Sequence, residues 1–350
     1  MRRLEALALI LPIALLSACP AREVAQIDPT QQKTEYKDIP VQLNRDVDLL
    51  FMVDNSGSMI EEQTSLVNNF SSFINVLNTI QGGLPNVHIG VITTDLGVGP
   101  YATQFCSSTG QGAELQVSPS CGMVSPGDRF LENQGGKVNF SGSAATAAGC
   151  LVKAGSSGCG FEQPLEALRL ALLGKASSLL RAEAALAVVV LTGDDDCSVK
   201  DDSLFDWQSD AFGPYALYRC FQYGVRCDGK EPPLASTSLQ SCQPGGSWLY
   251  DPSRYTSLLS GLKPAGWLSV LVISAPTQEP LQVYEGTDQY GYPCWKLSPT
   301  CQTGDTSGAP AVRLRAFRQG LGAAGLAGDI CATSYQPFAD ELLSRIKAVF

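Results

Sequence analysis

Asp54, Ser56 and Ser58 stand at alternate positions in Asp-Leu-Leu-Phe-Met-Val-Asp-Asn-Ser-Gly-Ser-Met, residues 48–59. One carboxylate and two hydroxyls at that spacing can point into a single concavity, where a hard cation such as Mg2+ or Ca2+ collects oxygen ligands. More oxygen ligands follow at a distance: Asp95 after the apolar run 87–94, Glu162 before Gln163 and Pro164, and Thr192, Asp194, Asp195 and Asp196 in Leu-Thr-Gly-Asp-Asp-Asp. Three adjacent carboxylates repel one another unless a cation or hydrogen-bond donors compensate them. A hydrolase built on that aspartate cluster is the rival chemistry. Against it, the chain has neither a Gly-x-Ser-x-Gly nucleophile nor a His-Glu-x-x-His pair, and its one histidine, His88, is remote from the aspartates in sequence.

The elements that must position these groups are strands with helices between them. Residues 48–53 and 187–191 are short apolar runs of the kind buried on both faces of a sheet, and each stops at its acidic group. Ile60, Val67, Phe70, Phe73, Ile74, Leu77 and Ile80 recur at mostly helical spacing, so a helix starts directly after Ser58 with its free amides facing the same place. Further strands are expected at 87–94 and 267–274, with an edge strand at 329–332. Further helices are expected from Pro164, over 311–320 and over 339–350. Strands alternating with helices imply an α/β fold with a doubly wound, mostly parallel sheet flanked by helices. Stretches 97–158, 197–252 and 277–308 read as insertions. The second holds Phe205, Trp207, Phe212, Tyr215, Tyr218, Phe221 and Tyr223, enough for a small cluster of its own.

The chain has 350 residues, 44% of them hydrophobic, which suffices for one large core. Its formal net charge of −10 argues against nucleic acid as a partner. Residues 1–18 have the form of a signal peptide: Arg2 and Arg3, an apolar run from Ala6 to Leu16, then small residues. Leu16-Ser17-Ala18-Cys19 is similar to a bacterial lipobox, which implies lipidation of Cys19, a polar tether over 19–44 and a domain over 45–350. The same resemblance implies the outer membrane, since Pro20 follows Cys19 where an aspartate would favour retention in the inner membrane. With Cys19 set aside, eleven of the 12 cysteines remain, and an exported protein of this kind carries disulfides. Neighbouring pairs such as Cys106 with Cys121, Cys150 with Cys159 and Cys294 with Cys301 are the simplest guess. An odd number leaves at least one thiol over.

Phe-Met-Val-Asp-Asn-Ser-Gly-Ser-Met, residues 51–59, closely resembles the first metal motif of von Willebrand factor A domains, the Asp-x-Ser-x-Ser of the metal-ion-dependent adhesion site. The resemblance extends to the element order of 45–350. It implies a divalent cation, Mg2+ or Ca2+, on Asp54, Ser56 and Ser58, and a protein partner that completes the shell with a carboxylate. The family's second motif carries a threonine where this chain has Glu162. Its third carries an aspartate where this chain has Gly193, followed at once by three aspartates. The expected metal set is therefore Asp54, Ser56, Ser58, Glu162, Asp194 and Asp195, with Asp95, Thr192 and Asp196 close by. Glu162 would supply from within the chain what a partner supplies elsewhere, giving a self-liganded site more tolerant of Ca2+. The function implied is a lipid-anchored, extracytoplasmic binding or adhesion module rather than an enzyme. A scaffold whose metal only stabilises the fold is the alternative.

Overall fold

Asp46–Val53 forms strand β1, whose side chains alternate between two cores. Val47, Leu49, Phe51 and Val53 enter one, and Leu50 and Met52 enter the other. The computed structural model describes residues 45–350 apart from 81–82, 119–120 and 289–290. The expected signal peptide, the tether and the lipidation site Cys19 lie outside the described residues.

In chain order, β1 is followed by α1 (Ile60–Asn78), β2 (Asn86–Thr93), β3 (Leu131–Gln134), β4 (Lys137–Val138), α2 (Ala144–Leu151), α3 (Pro164–Leu170) and β5 (Ala185–Leu191). Next come α4 (Tyr218–Gly224), β6 (Val225–Arg226), β7 (Thr237–Leu239), β8 (Gln243–Pro244), α5 (Ser253–Leu262) and β9 (Leu268–Ser274). The chain closes with β10 (Leu281–Thr287), β11 (Pro293–Leu297), β12 (Cys301–Thr303), β13 (Thr306–Gly308), α6 (Val312–Gly320), β14 (Gly325–Asp329) and α7 (Gln336–Lys347).

The central sheet has the order β14-β9-β5-β1-β2-β3-β4. Its first five strands are mutually parallel, and β3 and β4 add an antiparallel edge. Parallel neighbours need crossover connections, and helices supply them, so each strand is covered on both sides and can be apolar throughout. On β5, Ala187, Val189 and Leu191 join the first core while Leu186, Val188 and Val190 join the second. Helices α1, α2 and α7 pack on the first face, and α3, α5 and α6 on the second. From β1 the chain moves outward to β2 and later returns to β5 on the other flank. The carboxyl ends of β1 and β5 thus frame the point where strand order reverses, the place where open α/β sheets bind ligands.

Several expectations are corrected. The stretch 97–158 holds the β3–β4 hairpin and α2, and 277–308 is largely β10 to β13 rather than loop. Strand β10 sits between β11 and β7, and β12 pairs with β13. Helix α5 has no counterpart in the expected elements. The last sheet strand is Gly325–Asp329, earlier than the expected 329–332. Five disulfides form, Cys106–Cys159, Cys121–Cys150, Cys197–Cys220, Cys227–Cys242 and Cys301–Cys331, which replace all three neighbouring pairs. The hairpin and helix between Cys121 and Cys150 carry the chain back on itself, so sequence neighbours are not spatial neighbours. Buried Cys294 is the free thiol among the described residues.

Candidate functional site

The exits of β1 and β5 are locked side by side, because the Asp54 amide donates to the Leu191 carbonyl at 2.9 Å. Asp54 is fully buried. Its Oδ1 accepts from the Ser56 amide at 2.8 Å and its Oδ2 from the Thr192 hydroxyl at 2.9 Å. Gln63, one turn into α1, donates from Nε2 to the Asp54 carbonyl at 2.8 Å and to that of Gly155 at 2.7 Å, so helix, strand end and loop hold one another. The hydroxyls of Ser56 and Ser58 lie 3.4 Å apart. All three oxygen-bearing side chains of the first motif therefore gather at the reversal point.

Glu162 reaches the same place from the loop before α3. Gly158 donates its amide to the Asn55 carbonyl at 2.8 Å, and a Cβ there would sit 2.2 Å from Asn55 Oδ1, so glycine lets this loop lie against the β1 exit. The Cys106–Cys159 disulfide and the bond from the Cys197 amide to the Glu162 carbonyl, 2.8 Å, hold the loop in place. Glu162 is 2% exposed. Burial, then the charges of Asp54 and Asp194, push its carboxyl well above the usual range. Burial and the charges of Asp54 and Asp195 push Asp194 up to about 7. Burial also raises Asp54, against the pull of the Ser56 and Thr192 hydrogen bonds. The charge of Asp54 thus makes both Glu162 and Asp194 harder to ionise, and that of Asp194 adds to the effect on Glu162. Carboxylates and hydroxyls are the oxygen chemistry that a hard divalent cation takes, and its charge would remove that penalty.

The three consecutive aspartates part company. Asp195 turns to the start of α6, where its carboxylate accepts from the amides of Arg313 and Leu314 at 2.9 to 3.1 Å, and burial lifts it to about 6. Asp196 is fully buried behind the site. Its Oδ1 accepts from the Leu165 amide at 3.1 Å and the Ser198 hydroxyl at 2.5 Å, and its Oδ2 pairs with Arg313 Nη2 at 2.9 Å. Among the three, Asp194 is the one whose charge couples to both Asp54 and Glu162. Asp95 closes its own turn by accepting from the Gly97 amide at 2.9 Å. Thr192 is the residue that directs Asp54. Arg313 went unnoticed in the sequence, where it is one of several arginines in a helix. His88 lies near the start of the sheet, in register with Asp48, with Nδ1 2.7 Å from the Leu179 carbonyl. Among the described residues, the one group of three carboxylate, thiol or imidazole side chains whose ligand atoms all lie within 4.8 Å of one another is Cys301, Asp329 and Cys331, and its two sulfurs are joined to each other and offer no thiolate.

Beside the carboxylates opens a cleft of about 590 Å³. Ser58, Glu162 and Asp194 line one end, and the insertions build its walls, including Phe105, Phe161, Tyr215, Trp295 and the free Cys294.

No family model matches the chain, and none of the curated proteins does. Solved structures do match. Two structures of the pilus adhesin SpaC from Lactobacillus rhamnosus GG, one of them in an open conformation, align with 88% of this chain. Identities are 15% and 14%, and TM-scores 0.35 and 0.36. The chain spans 30% and 31% of the length of those adhesin chains.

Proposed function

We propose that this chain is a von Willebrand factor A-type binding module of the bacterial cell envelope, which holds Mg2+ or Ca2+ at the carboxyl end of its sheet and binds a partner protein there. The observation that carries this reading is the convergence of Asp54, Glu162 and Asp194 with Ser56 and Ser58 at the reversal point of strand order. Five disulfides support an oxidising, extracytoplasmic setting. Anchoring through a lipid on Cys19, in the outer membrane, rests on the lipobox-like Leu16-Ser17-Ala18-Cys19. A non-enzymatic role is supported by the engagement of Asp195 and Asp196 with α6 and Arg313. The cation would supply positive charge that lets the buried carboxylates ionise.

Calorimetric titration of the full chain with Mg2+ and Ca2+ tests the metal. Asp54→Ala should weaken binding at least about tenfold, and an unchanged titration would sink the metal reading. Replacing Glu162 by Thr should shift selectivity from Ca2+ towards Mg2+ if Glu162 is a ligand. Burial of Glu162 also favours a second reading, a structural metal. In that case Asp54→Ala lowers the melting temperature and leaves partner binding intact.

A further inference from the structure

Along one wall of the cleft runs the edge of a small sheet. Among the described residues β11 pairs with β10 alone, and its consecutive residues Cys294, Trp295, Lys296 and Leu297 all line the cleft. The register decides which backbone groups face outward. Ser298 donates its amide to the Gln282 carbonyl and Asp288 donates to that of Tyr292, both at 2.9 Å, so Lys296 with Tyr284 and Cys294 with Gly286 are the hydrogen-bonded pairs between them. The N–H and C=O groups of Trp295 and Leu297 therefore point away from β10. Among the described residues they find no partner in a turn, loop or side chain.

Two prolines limit this edge. Pro293, at the start of β11, and Pro299, just beyond its end, fall at outward positions, where a missing N–H costs no ladder bond and discourages a chance neighbour. Trp295 and Leu297 are left between them as an open window over the cleft. Both side chains pack on the cluster of Tyr218, Phe221, Leu281 and Val283, so the window is held in place before anything binds. Beyond Leu297 the wall leads to the carboxylates, because Thr300 donates to the Gly308 carbonyl at 3.0 Å and Ala309 to that of Gly193 at 2.9 Å. Outward donors and acceptors two residues apart call for a ligand with the same alternation. An extended polypeptide has it, whereas a helix has spent its backbone groups on itself. A cleft of about 590 Å³ takes a short segment of chain, not a folded domain.

We propose that the cleft takes an extended segment of a partner protein as an added strand on β11, with one end of that segment beside Asp194. The proposal rests on reading this end of the sheet as a protein-binding site, and it needs no metal. The test is amide hydrogen exchange of the full chain, followed residue by residue by NMR in chelator, with acetyl-Thr-Val-Thr-Val-Thr-amide as the ligand. So short a pairing implies an affinity of about millimolar, and the peptide is titrated to about 10 mM. Without peptide, the Trp295 and Leu297 amides should exchange at least about tenfold faster than those of Cys294 and Lys296. With it, they should slow at least about fivefold. The same peptide N-methylated at every residue, which lacks the donors of a strand, should slow neither. Leu297→Pro removes an unpaired donor, so it should keep the melting temperature and lose the parent peptide. Should that variant not fold, the methylated peptide decides. Slow exchange of both amides in the peptide-free protein, equal action of the methylated peptide, undiminished binding to folded Leu297→Pro, or no slowing at about 10 mM would each overturn the proposal. Slowing that grows with protein concentration instead of peptide would overturn it too, by assigning the edge to a second copy of the chain. Failure of the metal reading shows separately, as no heat from Mg2+ or Ca2+ in peptide-free protein.

Discussion

Thr192 sets the direction of Asp54, since its hydroxyl takes one carboxylate oxygen and the Ser56 amide takes the other. Replacing Thr192 by Val keeps the shape and removes the donor. Stability should fall by about 1–2 kcal/mol and metal affinity about tenfold, read by denaturant melts and calorimetry; unchanged metal affinity would refute the orienting role. At this scale the sequence was informative wherever a polar residue closed an apolar strand. Asp54, Thr192 and Asp194 stand out because each comes directly after, or within three residues of, a continuous apolar strand. Arg313 was illegible: its partner Asp196 lies far back in the chain, and Arg315 and Arg318 in the same helix look the same in sequence. Only the fold reveals that Arg313 is the buried one, at 1% exposure.

Helix α6 is pinned to the site through that residue. Arg313 donates to Asp196, to the Gly224 carbonyl at the end of α4 and to the Tyr250 carbonyl ahead of α5. Arg313→Ala leaves Asp196 buried without its counter-ion and should cost about 3–5 kcal/mol in urea denaturation. Combining Arg313→Met with Asp196→Asn, which keeps an acceptor for the Leu165 amide, should recover a large part of that loss. An equal loss in both variants would show that packing, not the unpaired charge, dominates. Among the elements, β1, β5 and β9 were legible as continuous apolar runs. Helix α2 was not, because its buried face is Ala147, Ala148 and Gly149, with Leu151 as its one large residue, which gives no amphipathic pattern. Strands β10 to β13 were hidden for a related reason. Exposed Tyr284 and Glu285 and short spans leave too little alternation, and their pairing is fixed by long-range contacts.

The molecule as a whole should report its buried carboxylates through pH. Asp194, raised to about 7, and Asp195, raised to about 6, start from 3.8, and Glu162 and Asp54 are raised as well. Without metal, the folded protein therefore keeps protons that the unfolded chain has released. Their stabilisation is complete below about pH 4 and is lost as pH climbs towards 7. In chelator, the melting temperature should be lower at about pH 7.5 than at about pH 5. On the proposed metal reading, saturating Ca2+ should reverse the order, since the ion would bind the ionised carboxylates of the folded state. A flat profile in chelator would mean that the carboxylates find other compensation. The cleft was legible only in its floor. Its walls come from 97–158, 197–252 and 277–308, whose aromatic content suggested local packing but gave no hint that three separate insertions meet.

Strand β1 runs between β5 and β2, begins where the chain arrives from its N-terminal side and ends beneath the cleft. Tension between an N-terminal attachment and a ligand held in the cleft would therefore travel along that one strand. Pulled lengthwise, β1 strains the ladders on both its flanks together, whereas a pull on the C-terminus would peel α7 from the surface one turn at a time. On the proposed reading, a grip at the end of the central strand would make the strongest direction of the sheet the line along which a bound partner tugs.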